Sequence, residues 1–336
     1  MNEALLEWKS FGPAFTRGWN GFFHSTFDGR VLRILRIFYA SLLLVNILTW
    51  YPYLELWFGE TGIMPLAVSR EVISKDAGTV FSYLPTSSSV LYGCYFCFLT
   101  QAVLLLFGIF PRFQAVGSFF WLVSFQHRNI MICDGEDVVM RLVGFFVMLM
   151  PLHQLGANRS SASTLPTSIP STTTLVAACE LQPGRVRSWA LRLLQIQMCI
   201  IYLDTAAAKF HGDVWLDGTA LYYVSRLDAW FRADAVPHFL FDTPWIVWLM
   251  TWSVIVIEFA VPVLIWFRET RRWALVLVAV FHLSCFWMMD LFLFHWIMLC
   301  GWCACLTSAE LDLVHGWLRK AGTRIRSPFV RNAAAT

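Results

Sequence analysis

The chain has 336 residues, of which 58% are hydrophobic and only 14% charged, and its mean hydropathy is +0.59. Soluble domains carry about 25% charged residues, so this balance excludes an ordinary soluble globule and points to a polytopic membrane protein. The net charge of +3 is small, and the position of the basic residues matters more than their sum.

Residues 1–30 form an amphipathic segment in which Trp8, Phe11, Phe15, Trp19, Phe22 and Phe23 alternate with Lys9 and Arg17. That pattern suits a helix lying on the membrane surface. It lacks the unbroken apolar core of a secretory signal peptide, so the first span is expected to act as its own insertion signal. That span covers about 31–53, near the 20 apolar residues needed for a crossing, with Arg33 and Arg36 able to snorkel towards headgroups. A polar connection over 54–88, with one short helix near 66–74, leads to a second span at 90–110.

Further spans are expected at about 113–125, 137–152, 189–209, 245–267, 273–289 and 291–306. Residues 153–187, rich in Ser and Thr, read as a flexible linker. Residues 308–321 read as a C-terminal interfacial helix behind a Ser308 cap. The expected fold is therefore an all-α integral membrane protein with about eight transmembrane helices and interfacial helices at both ends. Its divisions are the segment 1–30, a membrane domain 31–310 containing the linker 153–187, and a helix with a basic tail at 311–336. Eighteen of the 25 lysines and arginines then fall on the side of the N-terminus and six on the other. By the positive-inside rule both termini are cytoplasmic, as expected for a multi-pass protein of a bacterial inner membrane. Topology accounts for these basic residues, so no nucleic-acid partner is expected.

The nine cysteines are an odd number, fall mostly in apolar runs, and give no disulfide framework. Cys300 and Cys303 make a CxxC, read here as packing inside an apolar span. The eight histidines are dispersed without ligand spacing, and no metal is expected.

A charge in the hydrocarbon is expensive unless paired or hydrated, so ionisable residues at depth are functional candidates. Asp137 and Arg141 have the i,i+4 spacing of a pair on one helix face, either structural or part of a site. Glu258 and His282 sit near the middles of their spans, where they either line a cavity or bond a neighbouring helix. Asp290 and His295 read as a polar turn and a satisfied histidine near the outer end of the last helices. Gln195, Tyr202 and Lys209 are seven residues apart and share one face. Lys209 either snorkels or, drawn partly out of water, offers a free amine as general base. After it comes a cap, Gly-Asp-Val-Trp215-Leu-Asp-Gly218-Thr-Ala-Leu-Tyr222-Tyr223, on the outer side.

The block from Ile201-Tyr202 through Lys209 to Trp215-Leu-Asp-Gly218 and Tyr222-Tyr223 resembles the signature of the HTTM (horizontally transferred transmembrane) family, bacterial relatives of vitamin K-dependent gamma-carboxylase. Leu32-Arg33-Ile-Leu-Arg36, Arg128-Asn129, Asp134 to Asp137, Arg141, Ile257-Glu258-Phe-Ala-Val-Pro262, Arg268, Arg271 and His282 fit in the same order. The resemblance extends over roughly residues 13–310. It implies a membrane enzyme of carboxylase/epoxidase type, a lyase, using a reduced quinone of vitamin K or menaquinone type. Lys209 then takes the place of the lysine that deprotonates the quinol, with Glu258 and His282 as further catalytic candidates. Trp215, Tyr222, Tyr223, Asp137 and Arg141 are implied around the quinol. The animal enzymes carry two adjacent lysines where this chain has Ala208-Lys209, and their outer-loop histidine has no counterpart here. Their large carboxy-terminal domain is not expected either, which leaves the protein substrate undefined; membrane lipids and a quinol are the expected partners. The alternative is a non-catalytic binding or assembly protein on the same fold, with a transporter disfavoured by the lack of internal repeats.

Overall fold

The computed structural model describes residues 2–72, 79–157, 184–232, 236–237 and 239–316, with side chains described from residue 13 onward. These residues are almost entirely helical. The principal helices are α1 (Asn2–Phe23), α2 (Gly29–Trp50), α3 (Ser88–Phe107), α4 (Pro111–Arg128), α5 (Gly135–Leu149), α6 (Trp189–Lys209), α7 (Pro244–Leu264), α8 (Arg271–Met288), α9 (Phe294–Trp302) and α10 (Ser308–Gly316).

Local sequence explains where they start and stop. The Asp28 carboxylate accepts from the Arg30 backbone N–H at 2.9 Å and caps α2. Asp134 and Asp137 form a capping box on α5, and Ser188 caps α6 through Leu191 N–H. Prolines open α4 and α7, where the missing N–H is not needed. Gly108, at φ 77°, ends α3 in the left-handed region. The Arg36 guanidinium lies over that terminus, donating to Leu105 O and, at 2.9 Å, to Leu106 O. Arg36 is therefore buried as a cation on a helix C-terminus rather than snorkelling.

Among the described residues, four helical segments are long and apolar enough to cross a membrane: Gly29–Phe58, Ser88–Phe107, Pro244–Leu264 and Arg271–Met288. A fifth is obtained if Phe294–Cys305 and Ser308–Gly316, bent by 116°, count as one. The remaining long helices are more polar because they bond neighbours. α4 buries Gln114, Ser118, Ser124, Gln126 and Arg128, while α6 carries Arg192, Asp204 and Lys209. α9 packs against α2, α5, α6 and α8 and stands at the centre of the bundle. Around it, Leu32, Leu35, Tyr39, Leu43 and Ile47 of α2 make the helical stripe that anchors the core with Phe98, Phe125 and Trp302. Conversely, Trp245, Trp248, Val256, Phe259 and Val263 of α7 and Trp273, Val280 and Trp287 of α8 are exposed, as lipid-facing sides would be.

Two loops are tied to the helices around them. The ends of the 153–187 segment are ordered: Gln154–Ala157 is helical, and β2 (Arg185–Arg187) pairs antiparallel with β1 (Thr26–Asp28), Phe27 opposite Val186. Residues 158–183, the bulk of the expected linker, lie outside the described residues. Arg128 and Asn129 stitch down the 54–88 connection, donating to Met64 O at 2.6 Å and Trp57 O at 2.7 Å respectively.

Candidate functional site

The seven-residue spacing on α6 places its polar side chains on one face, and each reaches a different neighbour. Gln195 Nε2 donates to Ala304 O at 2.6 Å, beyond the end of α9. The Tyr202 hydroxyl lies 2.8 Å from His282 Nε2 on α8. Lys209 Nζ donates to both oxygens of Glu258 on α7, at 2.8 and 2.7 Å, and touches Thr205 O at 3.5 Å. The ion pair is nearly buried, with side-chain exposures of 16% for Lys209 and 9% for Glu258. A bidentate arrangement of this kind satisfies both carboxylate oxygens where little water is present.

Both residues border one cavity of about 410 Å³ between α6, α7, α8 and the start of α9. Ile201, Val254, Ile257, Leu277, Phe281 and Met298 are typical of its walls, which are apolar apart from a few groups. Those groups are the Lys209–Glu258 pair, the linked Tyr202, His282 and His295, and the hydroxyls of Thr205, Ser253 and Ser284. His282 Nδ1 lies 3.4 Å from His295 Nδ1, a long contact. His295 Nε2 is buried and has no partner among the described residues. The sequence reading of His295 as a satisfied histidine near water is therefore corrected: it is 3% exposed and lines the cavity. Asp290 does take part in the expected polar turn, exposed and paired with Arg232 at 3.0 Å.

The cap closes the cavity in a way the sequence describes only in part. Gly218 takes φ 76°, and a Cβ there would collide with the Trp248 indole of α7, so glycine lets the turn settle on that helix. Trp215 is placed over the pair, its ring centre 5.0 Å from Lys209 Nζ. The short helix Ala220–Val224 turns Leu221 and Val224 towards the cavity. Tyr222 and Tyr223 point away: both are exposed, and Tyr222 instead stacks on the Arg226 guanidinium at 3.5 Å. Phe231 and Phe241 from the following loop complete the lid, joined to the α8–α9 turn by the Phe231–Met289 bridge.

Asp137 and Arg141 lie outside this cavity and do not pair with each other. Asp137 accepts from Asp134 N–H at 3.0 Å and Gln126 Nε2 at 3.1 Å, while Arg141 meets His127 Nε2 at 3.2 Å. The helix-capping geometry claims Asp137 first, since its i−3 neighbour Asp134 offers an unsatisfied N–H closer than the arginine. Cys300 is buried in α9 and Cys303 is half-buried in the 3-10 turn that follows it.

Comparison with known proteins bears directly on this half of the chain. Residues 167–308 match the HTTM domain, a span that includes Lys209, Glu258, His282 and His295. This part of the chain is similar to the HTTM domain. Over 188 residues it is 26% identical to the uncharacterized protein YitO of Bacillus subtilis (strain 168), covering 54% of this chain and 56% of that protein. Over 192 residues it is 26% identical to the sporulation-delaying protein SdpB of the same organism, covering 54% of this chain and 53% of that one. The chain thus spans about half the length of these curated relatives. No solved structure matches it.

Proposed function

We propose that this HTTM protein is a membrane enzyme that binds a lipid-soluble aromatic alcohol, a reduced quinone of vitamin K or menaquinone type, and removes a hydroxyl proton with Lys209. The observation that carries the reading is the Lys209–Glu258 pair in the wall of an otherwise apolar cavity. Apolar pockets with a few placed polar groups are the usual form of small-molecule sites. The residues fit the ligand class: Phe281, Trp215 and the aliphatic wall suit a flat ring, and the polar groups suit ring oxygens. A bound quinol supplies the acidic hydroxyl and the electrons for the redox step.

The chain's own part in the chemistry follows from the pair. In a dry cavity, separated charges lose much of their solvation advantage, so the pair with its proton on Glu258 lies closer in energy to the ion pair than it does in water. With the proton on Glu258, the Lys209 amine is free to accept a hydroxyl proton within hydrogen-bond reach. The ammonium then remains opposite the deprotonated oxygen, where little water screens it. Trp215, Phe231 and Phe241 exclude water. Tyr202, His282 and His295 form a second polar cluster, the imidazole Nε2 of His295 offering a bond to a second oxygen.

The same reading places the protein in a bacterial inner membrane with eight crossings and both termini cytoplasmic. Support comes from the eighteen-to-six distribution of basic residues and from the helix pairs α3–α4 and α8–α9, which pack as neighbours across short turns. The cavity then lies towards the extracytoplasmic side, beneath the cap.

Purified protein in nanodiscs, given reduced menaquinone or vitamin K and oxygen, should oxidise the quinol at a rate that Lys209→Ala lowers by about 10²-fold or more, the range for loss of a general base. Oxidation that survives Lys209→Ala would remove the base assignment. A second reading, a non-catalytic assembly or binding protein, is favoured by one observation: the Lys209–Glu258 and Tyr202–His282 contacts also tie α6 to α7 and α8. Absence of quinol turnover together with tight packing-dependent stability would select it.

A further inference from the structure

At the other end of α6, about 25 Å from Lys209 at 1.5 Å per residue, lies a second cavity of about 220 Å³. It is walled by Ser25 to Asp28, Arg185, Arg192, Gln195, Ile265, Trp266, Arg271 and the 305–308 turn. Its character is opposite to that of the first. Three guanidinium groups converge on it from three separate elements: Arg185 from β2, Arg192 from α6 and Arg271 from the start of α8.

None of the three lies within 4.0 Å of a described carboxylate oxygen, though the Glu310 carboxylate attracts Arg271 at longer range. Their partners are neutral. Arg185 donates to Thr26 Oγ1 and Thr26 O, at 2.9 and 2.7 Å. Arg192 donates to Phe22 O, Gln195 Oε1 and Ser25 Oγ, at 3.1, 2.6 and 3.0 Å. Arg271 donates to Ile265 O and Trp266 O, at 3.0 and 3.4 Å. The two acidic groups nearby are already engaged. Asp28 is forked by Arg30, with its oxygens 2.7 to 3.1 Å from the Arg30 nitrogens, and the Glu310 carboxylate accepts from both Thr307 N–H and Thr307 Oγ1.

A guanidinium has five N–H donors, and among the described residues each of these three uses two or three of them. Bonds to main-chain carbonyls fix the planes of the guanidiniums, so their remaining donors are oriented in advance of any ligand. Phe22, Phe27 and Trp266 surround Arg192, with ring centres 4.4 to 5.6 Å from its Cζ. These rings hold the cation without neutralising it. Packing three like charges around a hollow is unfavourable unless an anion enters it. Arginine forks match the planar pairs of oxygens on phosphate.

We propose that this cavity is a phosphate-binding site, taking a phosphate mono- or diester at the membrane surface where α1, the β1–β2 pair and the α7–α8 turn meet. Two sources share that chemistry: the headgroup of an anionic phospholipid, and a phosphate compound arriving from the aqueous side. The amphipathic α1, ending at Phe22 beside Arg192, sets the site at headgroup level.

The test uses the full chain in detergent and in nanodiscs. Inorganic phosphate is titrated while thermal unfolding is followed, and lipid retained on the purified protein is measured after exchange into phosphatidylglycerol or phosphatidylcholine. The comparison is with Arg192→Gln/Arg271→Gln, and with Arg271→Lys, which keeps the charge and loses the fork. Stabilisation by phosphate would identify a soluble ligand. Selective retention of phosphatidylglycerol without a phosphate response would identify a lipid headgroup. In either case the double variant should bind at least about tenfold more weakly, equivalent to about 1.4 kcal/mol, and Arg271→Lys should fall between. If the double variant does not fold, the wild-type titrations and Arg271→Lys carry the test alone. The proposal is overturned if wild type shows neither a phosphate response nor a preference for phosphatidylglycerol, or if the variants bind as wild type does.

Discussion

Lys209 and Glu258 each make the other tolerable in a largely apolar setting, which gives their removal an asymmetric signature. A single substitution such as Lys209→Met strands a carboxylate that is 9% exposed, and stranding a buried charge costs about 3–5 kcal/mol. The double variant Lys209→Met/Glu258→Leu leaves nothing unpaired and should regain most of that loss in a chemical-denaturation or thermal-unfolding series, while remaining inactive towards quinol. Recovery of activity along with stability would mean that the pair is only a staple between α6 and α7. At the cap, Gly218→Ala forces a side chain into the left-handed region and against Trp248. It should cost about 1–3 kcal/mol and loosen Trp215 over the cavity, visible as a shift in tryptophan emission.

Among the elements, α2 illustrates how a helix start couples to pH. Asp28 is partly buried, which by itself opposes ionisation, but bonds from the Arg30 side chain and N–H outweigh that and hold its carboxyl below the usual value of 3.8. A carboxylate whose folded value is depressed stabilises the fold above the unfolded value and loses that contribution as pH falls through the folded one. Asp28→Asn keeps a cap and should abolish this acid-dependent part, whereas Asp28→Ala should cost about 1 kcal/mol at neutral pH as well. Melting curves between pH 3 and 7 separate the two.

The elements also explain how much of the site was legible in the sequence. The seven-residue spacing of Gln195, Tyr202 and Lys209 needs only the helical period to become a common face, and it did so. Glu258 and His282 were flagged by depth alone, because an ionisable group in an apolar run demands a partner wherever the chain folds. Which partner it finds depends on tertiary packing, so the sequence left Lys209 without one and offered Arg141 to Asp137. The inward turn of Leu221 and Val224 in place of Tyr222 and Tyr223 depends on how a five-residue helix settles on Thr251 of α7, which periodicity cannot tell over so short a run. His295 and the cluster of Arg185, Arg192 and Arg271 were equally out of reach: their meaning lies in tertiary neighbours up to 170 positions away along the chain, and the arginines read first as topology markers.

For the molecule as a whole, the account places two unlike cavities at opposite ends of α6, an apolar one with a proton-handling pair and a basic one at headgroup level. The helix that joins them also joins the packing: α6 contacts α5, α7 and α9. The proposed eight-crossing arrangement would put Leu216 and Leu227, both exposed, on the extracytoplasmic side and Arg187 on the cytoplasmic side. Single cysteines at 216 and 227 in a cysteine-free background should react with an impermeant maleimide added to intact cells, and one at 187 only after lysis. Labelling in the reverse sense would invert the molecule and move the Lys209 cavity to the cytoplasm.

The central claim, that the Lys209–Glu258 cavity receives a reduced quinone, is tested most directly by equilibrium binding. Quenching of tryptophan emission by a reduced menaquinone analogue, Trp215 lying beside the pair, should saturate in wild type. Binding should weaken at least about tenfold, or about 1.4 kcal/mol, in Lys209→Met/Glu258→Leu, and the quenching should be lost in Trp215→Phe while binding measured by co-purified quinone persists. Wild-type protein that shows no saturable quenching and carries no quinone, or a double variant that binds as tightly as wild type, would contradict the claim.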